Sequence, residues 1–195
     1  MRPKQDGFTK DYEVDTRRDL ARVLVNMFLC GPGKVVARRG AKRQAREDIR
    51  SFLKKKIYAE FAQCEVKLGE HTGLIKAFRR AAGKTAANLA DHELGLAATK
   101  KTDLVVIFPC SPGSFAELGM FCMAPKIAPK MVVFFDTQYK NQKSYVRHGP
   151  VEAARLRKAR IFYVDYADRN HIWTRVKQVV QDQKEIKRGI KLFAK

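Results

Sequence analysis

The chain has 195 residues, of which 45% are hydrophobic and 10% aromatic, so it is long enough to bury the core of one domain. No stretch of about 18 apolar residues is available for a membrane span, and no apolar segment follows Met1 as a secretory signal would require. The 40 Lys and Arg residues against 20 Asp and Glu residues give a net charge of +20, which excludes a charge-balanced surface. We therefore expect a soluble, cytoplasmic protein without a membrane partner.

The positive charge occurs in clusters along the chain. A basic surface attracts polyanions and makes their binding salt-dependent, so nucleic acid is the first macromolecular partner to consider. Each cluster taken alone is equally typical of a solvated helix face. The candidate nucleic-acid-binding residues are Arg38, Arg39, Lys42, Arg43, Arg46, Lys54, Lys55 and Lys56.

The four cysteines Cys30, Cys64, Cys110 and Cys122 show neither Cys-x-x-Cys spacing nor the nearby histidine pairs of a zinc site. In a cytoplasmic chain they are interpreted as free thiols, and no metal site is predicted. Three of them, Cys30, Cys64 and Cys110, fall at the predicted carboxyl ends of strands. They either line one crevice there or are small buried side chains, which is the commoner case.

The chain begins with a polar segment and a first strand. Residues 1–22 are mixed in charge and are interpreted as an N-terminal extension with at most a short helix near residues 16–22. Leu24 to Cys30 is an apolar run typical of a buried strand. Glycines in the turn 31–33 after it would let a phosphate or ribose approach the backbone.

A basic helix and a weaker strand come next. Residues 41–56 carry apolar residues on one side of a cationic helix. Residues 59–65 are the second strand candidate, which ends in Glu65. Residues 74–98 have apolar residues at helical spacings, as one helix or as two broken near Gly83.

The stretch from Asp103 to Gly119 is the most informative in the chain. Asp103 to Phe108 is an apolar run bounded by a polar residue and a proline, as in a strand buried on both faces. After a break, the residue order predicts a helix with Ser114 at the N-cap and Glu117 at the third position of a capping box. Glu117 would then lie just beyond a central strand, where doubly wound sheets bind ligands.

Four further elements complete the chain. Residues 130–136 form a buried strand that ends in Asp136, and residues 144–157 a loop and a helix. Residues 160–165 predict a fifth strand, and residues 169–192 a final helix with one apolar stripe.

Alternating strands and helices predict a single α/β domain over residues 23–195. The expected fold is doubly wound and Rossmann-like or flavodoxin-like, with a mostly parallel five-stranded sheet and helices on both faces. Right-handed crossovers bring the turns after the first four strands to one edge. Residues 30–33, Glu65, residues 111–117 and Asp136 are expected to converge there.

Glu117 has two interpretations. It caps its helix, pairing with the backbone at Ser114, and the Ser-x-x-Glu pattern alone favours this. Alternatively, it is a catalytic carboxylate that attacks or stabilises the anomeric carbon of a sugar while an N-glycosidic bond breaks.

The stretch Pro109-x-Ser-Pro-Gly-Ser-Phe-x-Glu-Leu-Gly-x-Phe resembles the signature of retron effector proteins of the nucleoside 2-deoxyribosyltransferase-like family. Phe28-Leu-Cys-Gly31 resembles the first strand and turn of that family. Ser144-Tyr-x-x-x-Gly149-Pro150-Val151 resembles a downstream element, whose Gly149-Pro150 backbone is expected to close one side of the pocket. Several motifs in the same order are more specific than any one of them.

The resemblance implies roles for individual residues. Glu117 is then the catalytic carboxylate, and Glu65, Glu93 and Asp91 bind the base or the sugar hydroxyls. Without the resemblance, Glu65 would be a solvated loop residue and Asp91 and Glu93 part of an exposed helix face. The substrate-binding candidates are Cys30, Gly31, Pro32, Gly33, Glu65, Asp91, Glu93, Ser111, Pro112, Gly113, Ser114 and Asp136.

The chain departs from the family pattern beside this motif. Effectors of this type have a glutamate directly before Ser-Pro-Gly-Ser, and the deoxyribosyltransferases have an aspartate within the loop. Cys110 and Ser111 stand in those places here. A thiol does not replace a carboxylic acid at neutral pH unless its pKa is shifted. Proton delivery to the leaving base is then absent, supplied by Glu65 or Glu93, or unnecessary. It is unnecessary for nicotinamide, which leaves NAD as a neutral base from a cationic form, and this favours NAD.

The resemblance thus implies an N-glycosidase that cleaves NAD or a related nucleotide as a toxic effector in antiphage defence, with NAD as substrate and no cofactor. The alternatives are a nucleoside 2-deoxyribosyltransferase and a basic nucleic-acid-binding module that keeps the fold without the activity. A retron effector is expected to be held by a reverse transcriptase and its RNA-DNA product. Relatives usually self-associate, so a homo-oligomer is expected.

Overall fold

Short apolar strands buried on both faces form the centre of the molecule. The computed structural model describes residues 7–31, 48–69, 76 and 88–193. Within these residues one sheet has the order β2-β1-β3-β4-β5, and every neighbouring pair is parallel. The strands are β1 (Val25–Cys30), β2 (Cys64–Lys67), β3 (Leu104–Ile107), β4 (Met131–Asp136) and β5 (Arg160–Val164). The predicted doubly wound α/β fold is confirmed, with the flavodoxin-like strand order.

Helices cover both faces of the sheet. The described residues contain α1 (Gly7–Arg22), α2 (Ile49–Glu60), α3 (Leu89–Ala98), α4 (Pro112–Met123), α5 (Glu152–Leu156) and α6 (Arg169–Phe193). Helices α2 and α6 pack on one face, and α3, α4 and α5 pack on the other. Helix α1 contacts α6. None of the helices in the described ranges is long and apolar enough to cross a membrane.

The two cores follow from the alternation of side chains along each strand. In β1, Met27 and Leu29 point into the α2–α6 core, whereas Phe28 points into the core under α3, α4 and α5. Phe134 stacks between Phe108 and Phe162, with ring centroids 4.9 and 5.3 Å apart. Such rings bury large apolar areas and fix the carboxyl half of the sheet.

Two expected boundaries are wrong. Helix α2 runs to Glu60 and takes the first residues of the expected second strand, because Ile49, Leu53 and Ile57 recur at helical spacing and are buried. Strand β2 therefore starts at Cys64, so this cysteine lies at its amino end rather than its carboxyl end. At the start of the chain, α1 has 16 residues instead of at most a short helix near residues 16–22.

Candidate functional site

The winding of the chain reverses between β1 and β3. Helix α2, which comes next after β1 in the described chain, covers one face, and α4 after β3 covers the other. The carboxyl ends of β1 and β3 therefore border the topological switch point, where open α/β sheets bind ligands. Phe108 N–H donates to the Cys30 carbonyl across this edge at 3.2 Å.

The backbone at Gly31, directly after β1, lies close to the side chains of Phe108 and Arg50. Its φ is +153°, a conformation that side chains rarely adopt. A Cβ on Gly31 would lie 3.4 Å from Phe108 Cβ and 3.5 Å from Arg50 Cδ. The preceding Cys30 is buried in the core, so its thiol belongs to the packing beneath the site.

Helix α4 begins three residues earlier than the sequence suggested. Ser111 is the N-cap, Pro112 is in the first turn, and Ser114 is the third helical residue. Ser114 Oγ accepts the N–H groups of Cys110 and Ser111, each at 2.9 Å. Ser111 Oγ accepts Ser114 N–H at 3.3 Å, which completes a capping box of two serines.

This network changes the expected role of residues 111–114. The N–H groups of Ser111 and Ser114 bond within the loop, and Pro112 has none. Three of the four positions therefore offer no amide to a ligand. The backbone amides of residues 111–114 therefore leave little for a phosphate to bind, although Gly113 is exposed at the helix start.

Glu117 does not cap its helix. It lies six residues after the N-cap, in the second turn, half-buried and with Oε2 shielded from solvent. The next turn of the same face carries Phe121, which contacts Phe28 of β1 with ring centroids 6.1 Å apart. Phe115, by contrast, contacts Phe135 of β4. Glu117 therefore lies on the flank of α4 nearer to β1.

Glu93 reaches the same edge from α3. Its side chain is buried, and its carboxylate occupies the place that a Cβ on Gly69 would take. Gly69 lies two residues beyond β2, which pairs with β1, so Glu93 lies beside the carboxyl end of β1. An exposed helix face is therefore excluded for Glu93. His92 beside it is also buried, and this burial lowers its pKa.

Two other predicted carboxylates lie outside the crevice. Asp91 is exposed, and its carboxylate accepts Asn88 Nδ2 at 2.7 Å as part of the start of α3. Glu65 is the second residue of β2, level with Asn26 in the register, and pairs with Lys67 at 3.1 Å. The expected position of Glu65 at the strand end is wrong because β2 starts late.

Asp136 ends β4 at the expected edge. Its carboxylate accepts Gln138 N–H at 2.9 Å and caps the short turn that follows. Asp136 also lies close enough to Cys110 to act on its titration. Partial desolvation raises the pKa of the Cys110 thiol to about 11 although the residue is exposed; Asp136 adds to the rise, whereas Arg50 and Arg169 oppose it.

Only three of the predicted nucleic-acid-binding residues lie within the described part of the chain. Lys55 and Lys56 are exposed on α2, and the Lys54 ammonium lies 5.7 Å from the centre of the Tyr58 ring. The other candidates lie outside the described residues: Pro32, Gly33, Arg38, Arg39, Lys42, Arg43 and Arg46. Among the residues that are described, no cluster of three or more His, Cys, Asp or Glu could hold a metal ion.

An apolar groove lies on the other flank of α4. It has a volume of about 480 Å³ and is lined by Ala116 and Gly119 on one side and by Tyr145, Gly149 and Pro150 on the other. Glu117 is not among its lining residues. Gly149 and Pro150 thus border a groove of which Glu117 is not a lining residue, and their expected closure over the Glu117 pocket stays a prediction. The burial of Glu93 and the half-buried position of Glu117 instead indicate the switch point as the candidate site.

Sequence reasoning missed two arginines at this edge. Arg50 in the first turn of α2 is only 5% exposed, and Arg169 begins α6. Arg50 was hidden in a run of basic residues that was interpreted as a solvated face. Its position next to Ile49, and three residues before Leu53, is the one signal that could have distinguished it.

Fold and site define a doubly wound α/β domain with two carboxylates, Glu117 and Glu93, beside its switch point. Residues 43–193 match the family described as STM3845 retron effector protein, and the chain belongs to this family. It is 29% identical over 137 residues to the retron Ec86 putative ribosyltransferase/DNA-binding protein of Escherichia coli, a match of 69% of this chain and 39% of that protein.

A second relative is the retron Ec73 putative ribosyltransferase/DNA-binding protein of Escherichia coli. It is 26% identical over 135 residues, a match of 65% of this chain and 37% of that protein. The matched region thus spans less than two fifths of either relative. The assignment to the retron effector family predicted from the motifs is confirmed.

Proposed function

We propose that this retron effector is an N-glycosidase that cleaves the N-glycosidic bond of NAD or a related nucleotide in antiphage defence. The observation that carries the proposal is the position of Glu117. It lies in the second turn of α4, where it is not the capping residue, and it is half-buried beside the switch point. A carboxylate held there is suited to a site where positive charge develops.

The chemistry assigns one task to each carboxylate. As the bond between the ribose anomeric carbon and nicotinamide breaks, its electron pair goes to the nicotinamide nitrogen and a cationic sugar develops. Glu117 stabilises this cation or adds to it. Water then supplies the new hydroxyl and releases one proton. Glu93, buried at the same edge, accepts hydrogen bonds from sugar hydroxyls.

The state of Cys110 supports NAD as the substrate. With a thiol pKa of about 11, Cys110 is a weak acid where the family has a carboxyl group. Nicotinamide leaves as a neutral base without a proton, whereas most nucleobases leave more readily when protonated. A site without the loop carboxylate therefore suits the nicotinamide bond.

The names of the relatives support a glycosyl-transfer activity, because both include the term ribosyltransferase. Both names also include DNA binding. The net charge of +20, together with exposed Lys55 and Lys56, favours a nucleic-acid partner as well. We assign this role to a retron RNA-DNA product and its reverse transcriptase, in a homo-oligomeric effector. Binding of nucleic acid and hydrolysis of a nucleotide do not exclude each other.

Base release tests the proposal. The purified protein is incubated with NAD, and separately with a deoxynucleoside plus a free base, and the products are separated by chromatography. Nicotinamide release that is lost in Glu117→Gln supports the NAD-cleaving site. Base exchange on deoxynucleosides would indicate a deoxyribosyltransferase instead. No release from any substrate, with tight salt-dependent binding of nucleic acid, would indicate a binding module without activity.

A further inference from the structure

We propose that Arg50 and Arg169 form a phosphate-binding subsite at the switch point, so that the chain takes a nucleotide and not a nucleoside. The inference deepens the proposed function and rests on it. It begins from the loop after β3, where Ser111 and Ser114 engage their amides within the capping box. A phosphate at this edge must therefore be bound largely by other groups.

Arg50 supplies a fixed positive charge on the α2 side. Asp48 caps α2 by accepting Ser51 N–H at 2.8 Å, and Ile49 and Leu53 anchor the first turn in the core. The Arg50 side chain is 5% exposed, and its Cγ and Cδ lie 3.5 Å from the place of a Gly31 Cβ. Its stem thus runs along the end of β1, at the opening between β1 and β3.

Arg169 supplies the second guanidinium. It is the first residue of α6, which starts after β5 and so lies at the same carboxyl edge. Its guanidinium carbon is 5.7 Å from the centre of the Phe52 ring. Phe52 and Arg50 are both in the first turn of α2, so Arg169 lies against the same turn that carries Arg50. Both also act electrostatically on the Cys110 thiol, as expected for charges at one edge.

Two arginine side chains at one edge of the sheet attract an anion to that edge. Asp136 shares this edge, where its carboxylate accepts Gln138 N–H at 2.9 Å. Guanidinium groups are always protonated and present paired N–H donors that match phosphate oxygens. Glu117 and Glu93 are carried by α4 and α3, which pack on the opposite face of the sheet. The arrangement thus places phosphate recognition on the α2–α6 side and sugar chemistry on the α3–α4 side.

The test measures binding directly, without turnover. ADP-ribose is titrated calorimetrically into wild type, Arg50→Gln, Arg169→Gln and the matched control Arg18→Gln, an exposed arginine on α1. Losing one charge-assisted phosphate contact weakens binding about ten- to hundred-fold. We expect that loss in the first two variants and none in the control. Equal affinity of all four proteins, or no binding by wild type, would overturn the subsite.

A substrate pair separates recognition from folding. Both arginine variants should raise KM for NAD more than they lower kcat, and should reduce the preference of the enzyme for NAD over nicotinamide riboside, which has no phosphate. Equal losses on both substrates would overturn the assignment. If Arg50→Gln does not fold, the half-buried Arg169→Gln carries the test. Arginine-dependent ADP-ribose binding without any hydrolysis would refute the N-glycosidase proposal and keep the subsite.

Discussion

Replacing Gly69 with alanine tests the position of Glu93. A methyl group on Gly69 overlaps the Glu93 carboxylate, which is buried and must move away. The overlap involves the flexible end of a side chain, so we expect a modest loss of stability, about 1–2 kcal/mol. A catalytic group displaced by about 1 Å can lose about a hundred-fold in rate.

Gly69→Ala should therefore reduce kcat/KM for NAD by one to two orders of magnitude while the protein remains folded. Gly95→Ala is the matched control, since nothing lies within 4 Å of its added methyl group. Because Gly95 is inside α3, this change should stabilise the protein by about 0.5–1 kcal/mol.

The assay combines initial rates of nicotinamide release with urea unfolding of each variant. Glu93→Gln, which preserves the shape of the side chain, should lose activity to a similar extent. If Gly69→Ala kept full activity while Glu93→Gln lost it, Glu93 would act from another position. If both variants kept full activity, Glu93 would have no role at the site.

Three further predictions concern the surroundings of the site. Ser114→Ala leaves the N–H groups of Cys110 and Ser111 without their acceptor, so urea unfolding should show a loss of about 1–3 kcal/mol. A loss of less than about 0.5 kcal/mol would refute the capping network. Because its pKa is raised to about 11, the Cys110 thiol should react slowly with iodoacetamide at pH 8 and faster with each pH unit up to about 11. Peptide mapping, with Cys110→Ser as the control, measures this rate, and a plateau below pH 9 would contradict the prediction. Burial lowers the pKa of His92 below 6.5. Below pH 6.5 the unfolded chain therefore binds more protons than the folded chain, so the free energy of unfolding should decrease as the pH is lowered. His92→Asn should flatten this fall, and a slope equal to that of the wild type would exclude His92 as its source.

The fold could be predicted because its strands are short, apolar and bounded by polar residues or prolines. β3, β4 and β5 lie within one or two residues of their expected ends. The second strand was misplaced because Ala59 and Glu60 suit a helix as well as a strand, and packing of Ile57 extends α2 over them. That shift moved Glu65 away from the strand end.

The site was only partly predictable for a related reason. Ser111 and Ser114 are both good N-caps, and the pattern of residues does not decide between them. Pro112 favours the earlier start, because a proline suits the first turn of a helix. The burial of Arg50 depends on the contact of α2 with the end of β1, a tertiary relation that local spacing does not contain.

The most direct test of the account compares Glu117→Gln with Glu185→Gln, which removes the same charge from an exposed position on α6. The quantity measured is the initial rate of nicotinamide release from NAD, with circular dichroism and urea unfolding to verify that both variants fold. The account predicts wild-type release by Glu185→Gln and a loss of at least about a hundred-fold in Glu117→Gln. Full release by Glu117→Gln would contradict its central claim.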